Sequence, residues 1–201
     1  MNKKYLAELI GTFLLTFAVI ASLAAGFPVA TPVFAGITLG LFVYTMGGVS
    51  GAHVNPAVTI GLLSIKKISP KEAVLYVIAQ LAGSVLALLL ARYLFSFSSS
   101  LMAVDNFKIL LAETIGAFIL VFGVTSVVLK ENSSAYSGVV IGGSLLLGAS
   151  IASRVSNGVL NPAVALGIGS FSLVYVIGPI VGGLIAAQLV KWLIGPGRGN
   201  I

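Results

Sequence analysis

Cysteine is absent from this chain, and charge nearly so: Lys, Arg, Asp and Glu together make up 8% of its 201 residues. Without cysteine there is no disulfide, no thiol nucleophile and no thiolate metal site. One histidine and five scattered acids do not assemble a ligand set, so neither a metal nor a cofactor is expected. No nucleophile, base and orienting group cluster together, which argues against an enzyme. So few charges cannot cover a water-soluble surface either. What the sequence does have is 58% hydrophobic residues, arranged in runs of membrane-spanning length. The net charge of +6 forms no basic stripe for nucleic acid and reads as membrane topology. The start "MNKKYLAELIGTFLLTF" is charged and then apolar. The apolar run continues to about Ala25, so it reads as an uncleaved first span.

Six stretches are long enough to cross a bilayer, near residues 5–25, 30–48, 71–95, 107–130, 135–153 and 171–194. Two apolar pieces are too short. Residues 55–64 and 161–170 would each form a helix of about 15 Å, half a membrane. Each opens Asn-Pro-Ala-Val, with proline in the first helical turn, where its missing N–H costs nothing. Each follows a glycine-containing loop, at Gly51 and Gly158. Non-helical backbone at membrane depth survives only where protein buries it or water lines it. Two re-entrant half-helices are therefore expected.

The chain also repeats itself. "AELIGTFLL" (7–15) matches "AETIGAFIL" (112–120), and "HVNPAVTIG" (53–61) matches "VLNPAVALG" (159–167). Glu8 and Glu113 lie 105 residues apart, Asn55 and Asn161 106. This gives two halves, 1–100 and 101–201, each of three spans and one half-span, together one domain. Three spans per half invert the second half relative to the first, an arrangement that places a site at the bilayer midplane. With the N-terminus inside, Lys3, Lys4, Lys66, Lys67, Lys71, Lys130, Lys191 and Arg198 fall on the inner side, and Arg92, Lys108 and Arg154 on the outer. That distribution obeys the positive-inside rule and puts both termini in the cytoplasm.

Two half-helices entering from opposite sides bring their N-termini together. Free first-turn N–H groups make each end partly positive. Asn55 and Asn161 stand there with side-chain amides to offer. A water or an alcohol accepts from them, while a cation meets the field and loses its hydration. The expected activity is passage of neutral polar molecules. A coupled transporter on an inverted repeat is the competing reading, but it needs an ion site or a proton relay. A non-conducting relative is a third.

On "AELIGTF", "SGAHVNPAVTIG", "YVIAQLAG", "AETIGAF", the second "NPA" and "GPIVGG", the chain resembles the aquaporin (major intrinsic protein) family over nearly its whole length. The resemblance implies an all-α membrane fold of six spans and two half-helices, with a pore in each subunit of a homotetramer in the cell membrane. It implies that Asn55, Pro56 and Ala57 meet Asn161, Pro162 and Ala163 in the pore. It further implies that Glu8 and Glu113 hold the re-entrant loops, where a proton relay is the alternative use of two buried acids. The family's second motif normally continues into an arginine that lines the outer constriction; here Val164 stands there. By counting, the other filter positions fall at Ala35, Ala149 and Gly158, an apolar and wider ring without aromatic, histidine or cation. A shift of one residue would put Phe34 in that ring instead. Such a ring suits water and small neutral solutes, with glycerol or urea among them, unless it dewets. Ala165 replaces the acid of glycerol-conducting relatives, and Tyr175-Val176 fits neither their proline-aliphatic pair nor the aromatic pair of water-selective ones. Arg154 has two readings, a replacement charge over the mouth or a side chain snorkelling to the interface. His53 lines the inner vestibule or packs its loop. Gln80 and Gln188 read as interhelical hydrogen bonds.

Overall fold

The computed structural model describes residues 2–24, 28–98, 101, 103–130 and 135–194. Arg198 and most of the "KENSS" segment lie outside them, as does part of "SFSSS". The described residues form eight α-helices and no strand. Five are long and apolar enough to cross a membrane: α1 (Lys3–Ala24), α2 (Thr31–Ser50), α4 (Pro70–Phe95), α5 (Phe107–Leu129) and α8 (Leu173–Ile194). Their boundaries carry ordinary stop and start chemistry. Ser69 and Glu72 close a capping box at the start of α4, and Asn106 caps α5 by accepting from Lys108 N–H at 2.7 Å. Lys4 and Glu72 form an ion pair that ties the starts of α1 and α4 together.

Three helices are shorter. α3 (Pro56–Ser64) and α7 (Pro162–Ile168) are the half-spans. The segment expected to run to Ser170 stops at Ile168. Gly169 turns left-handed there (φ 81°) and gives its N–H to Ala165 and Leu166 carbonyls, while Ser170 N–H also returns to Ala165. α6 (Ser137–Ala152) has 16 residues, fewer than the expected 135–153, and spans about 24 Å. It ends early because the chain must turn inward. Arg154, Val155 and Ser156 N–H groups bond back to Ile151 and Ala152 in tight turns before the descent to residue 157.

The packing is organised twice over. α1 packs on α2 and α4, α5 packs on α6 and α8, and α2 meets α6. Small residues allow backbone-to-backbone contact: a Cβ at Gly83 would strike the Leu9 carbonyl, and one at Gly182 the Thr114 carbonyl. α3 wedges among α4, α5 and α8, and α7 among α1, α4 and α8. Outward faces stay apolar, with Leu41 and Val74 60% exposed and Val139 70% exposed. A face of that kind suits lipid, not water.

Candidate functional site

Each half-helix is capped by its own asparagine. Asn55 Oδ1 accepts from Ala57 N–H at 2.8 Å; Asn161 Oδ1 accepts from Ala163 N–H at 3.0 Å and Val164 N–H at 3.3 Å. The nitrogen of each amide reaches across to the other loop. Asn55 Nδ2 donates to the Leu160 carbonyl at 3.0 Å, and Asn161 Nδ2 to the Val54 carbonyl at 2.9 Å. The two N-termini are thus latched head to head by reciprocal bonds. An amide nitrogen carries two N–H groups, so each asparagine keeps a second donor beside the latch.

The loops that make this possible are strained in matching places. Ala52 and Val54 have φ of 50° and 41°; Gly158 and Leu160, 106 residues on, have 61° and 57°. Such backbone cannot pair with a helix or strand, and two acids take up its N–H groups. Glu8 accepts from Ser50 Oγ at 2.7 Å, His53 N–H at 3.0 Å, Val54 N–H at 2.7 Å and Gln80 Nε2 at 2.8 Å. Glu113 accepts from Ser156 Oγ at 2.7 Å, Val159 N–H at 3.0 Å and Leu160 N–H at 2.7 Å. Both acids are fully buried. Gln80 also donates to Thr59 at 3.0 Å, and Gln188 to the Ser64 carbonyl at 3.0 Å, so both amides bond between helices.

A cavity of about 240 Å³ runs past the latch, far larger than the ~30 Å³ that one water occupies. Asn55 and Asn161 line it, as do Ala35, Ala149, Gly158 and Val164. Phe34 is not among the lining residues, and neither is Arg154, which is exposed. His53 is buried against its neighbours. It lines the cavity, its Nδ1 lies 3.2 Å from Thr59 Oγ1, and its ring meets Tyr76 edge-on. None of the described lining residues is Lys, Arg, Asp or Glu.

The wall obeys the sequence repeat. Leu15 and Val19 of α1 pair with Leu120 and Val124 of α5 at an offset of 105. Leu39 pairs with Leu145, Asn55 with Asn161 and Val58 with Val164 at an offset of 106. The second valine of the repeated motif therefore has a twin on the same wall. The pairing breaks at one end: Ala149, Ser153 and Asn157 line the cavity, while Val43, Gly47 and Gly51 do not. Ser153, Asn157 and Thr31 are polar lining residues that the motifs did not mark. Shifting the first half by 106 would have marked the apolar wall but not Asn157, which has glycine as its counterpart.

Residues 1–191 match the family model for the major intrinsic protein. The chain belongs to the major intrinsic protein family. It is 28% identical over 240 residues to Aquaporin AqpM of Methanothermobacter thermautotrophicus, covering 96% of this chain and 98% of that one. It is 34% identical over 205 residues to Nodulin-26 of Glycine max, covering 92% and 75%. The X-ray structure of the aquaglyceroporin from Plasmodium falciparum superimposes with a TM-score of 0.74 at 22% identity, covering 96% and 97%. The aquaporin fold and a multi-pass membrane protein follow. Val164, which follows the second Asn-Pro-Ala, is 3% exposed and lines the cavity.

Proposed function

We propose that this protein is a passive channel for water and small neutral solutes, conducting along the cavity beside the latched half-helices. The observation that carries this is the reciprocal bonding of Asn55 and Asn161 beside a cavity whose described lining residues include no Lys, Arg, Asp or Glu. Two first-turn ends facing each other put partial positive charge on the path, which opposes cations. The remaining amide donors serve a passing oxygen, and the apolar wall holds the solute to that polar edge. A coupled cycle needs an ion site, and the acids that would build one are spent on the loops.

In this reading Asn-Pro-Ala at 55–57 and 161–163 form the centre, Glu8 and Glu113 support the loops, and His53 belongs to the inner vestibule. Ala35, Ala149, Gly158 and Val164 form the outer ring. Arg154 snorkels to the interface, as its exposure supports. The halves 1–100 and 101–201 are inverted repeats of one domain. Family membership supports a homotetramer in the plasma membrane, and the lysine distribution supports cytoplasmic termini. Small side chains in the outer ring favour glycerol- or urea-sized molecules beside water. The test is stopped-flow light scattering of reconstituted vesicles. Faster osmotic shrinkage than empty vesicles is expected, with no accumulation of solute against a gradient. Equal rates, or uphill accumulation, would overturn the reading.

A further inference from the structure

On the face that bears the start of α1, lysines gather at one corner. Lys4 pairs with Glu72, which sets Lys3 and Lys4 of α1 beside Lys71 of α4. Lys66 lies five residues before Lys71, so the two are at most about 17 Å apart. Gln188 Nε2 donates to the Ser64 carbonyl at 3.0 Å and ties α8 to the end of α3. Lys191 and Trp192 follow Gln188 by three and four residues, on the same stripe of α8. Lys3, Lys66, Lys67, Lys71 and Lys191 are exposed, and none of them forms an ion pair among the described residues. Glu72 is occupied by Lys4 and by Ser69 Oγ at 2.8 Å.

The internal repeat supplies a comparison. α7 ends on Gly169, left-handed at φ 81°, a conformation that glycine adopts freely. α3 ends in the same manner, with Lys67 N–H returning to the Leu62 carbonyl, but its left-handed residue is Lys66, at φ 63°. A lysine there carries a conformational cost that glycine does not. Hydrocarbon borders the cluster. Leu6 of α1, Val74 and Ile78 of α4 and Leu193 of α8 are exposed within two turns of it, and Trp192 is 75% exposed. Lysine beside tryptophan at the end of an apolar span is the composition of a bilayer interface. The corner thus offers cations above hydrocarbon, and a soluble anion would use only the cations.

We infer that this corner, built from the ends of α1, α3, α4 and α8, selects anionic phospholipids from the surrounding bilayer. The headgroup phosphate lies among Lys66, Lys67, Lys71 and Lys191, and the acyl chains lie along the apolar faces of α4 and α8. Juxtamembrane lysines attract anionic headgroups in this way, each by about fivefold in binding. Lipid bound here holds the surface end of α3, whose other end Asn55 holds in the latch. The inference does not depend on the channel reading, because it requires only this fold in a bilayer.

Trp192 is the chain's single tryptophan, so its fluorescence reports on this corner alone. The full chain is placed in equimolar phosphatidylglycerol and phosphatidylcholine vesicles, with bromine, a short-range quencher, on the acyl chains of one lipid or the other. Composition and surface charge are then identical in the two samples. The expected result is a relative association that favours phosphatidylglycerol by about fivefold, the worth of one lysine. Lys66→Gln, Lys67→Gln and Lys191→Gln together remove most of that preference, the three arginine replacements keep it, and Lys108→Gln at the opposite face leaves it unchanged. High salt collapses it in the wild type, which decides the matter if the glutamine protein does not insert. Moving the reporter with Trp192→Phe and Phe107→Trp shows no preference. Equal quenching by the two lipids at Trp192 overturns the inference. So does a preference that survives salt or the glutamine substitutions, or one equally strong at position 107. Loss of the preference to millimolar inorganic phosphate, against chloride of equal ionic strength, would assign the corner to a soluble anion and overturn the lipid reading.

Discussion

Removing the Glu113 carboxylate tests how the second half-helix is held. In Glu113→Ala, Val159 and Leu160 lose their acceptors, at 3.0 and 2.7 Å, and Ser156 Oγ loses one of its two. The loop cannot reuse those N–H groups in a helix, because Gly158 and Leu160 sit at φ of 61° and 57°. Each orphaned buried N–H costs about 1–3 kcal/mol, so the pair costs about 2–6 kcal/mol. That is a large share of an ordinary folding stability of about 5–15 kcal/mol. For a chain of this size it corresponds to roughly 5–20 °C in melting midpoint. Glu113→Gln keeps one oxygen for one N–H but turns an amide nitrogen toward another donor, so it falls between alanine and wild type. The assay is survival of the monodisperse peak after heating in detergent, followed by osmotic permeability of reconstituted protein. The permeability of Glu113→Ala should drop sharply, because the Leu160 carbonyl that receives Asn55 Nδ2 shifts with the loop. A wild-type midpoint and permeability in Glu113→Ala would show that the acid does not hold the loop.

The absence of native cysteine makes the next test clean: Ala35→Cys should confer inhibition by a mercurial, whereas Phe34→Cys should not, because Ala35 lines the cavity and Phe34 does not. Gly158→Ala puts a Cβ 2.7 Å from the Ala149 carbonyl at a φ of 61°, so a loss of about 1–3 kcal/mol and reduced water flux are expected by thermal melting and stopped flow. Val164→Arg inserts a long cation into an apolar site that is 3% exposed. Glycerol and urea permeability should fall at least tenfold, and water less; unchanged glycerol flux would remove Val164 from the constriction.

Much of this architecture was legible because membrane physics writes in blunt signals. Long apolar runs gave the spans, and two stubs too short to cross, each opened by Asn-Pro, gave the half-helices. The acids Glu8 and Glu113 stood out because charge inside a span demands a partner. What could not be read was which way each span faces. Leu14 is 44% exposed and Leu15 4% exposed, yet both are leucines in one apolar helix. Lipid and cavity wall are both apolar here, so the period that marks a soluble helix's buried face is missing. The early end of α7 hung on Gly169, one glycine among 24. Asn157 was hidden for a different reason: it breaks the internal repeat, and its place on the cavity wall depends on a loop path held by Tyr175 and Ser170 from a later stretch of chain.

The most direct test of the account measures water and charge in the same vesicles. Reconstituted protein, water flux by light scattering and proton and potassium leak by an internal dye under an imposed potential would suffice. The latched, positively ended half-helices predict shrinkage several-fold faster than in empty vesicles, with leak no greater than theirs. A proton or potassium current that rises with the water flux would contradict it.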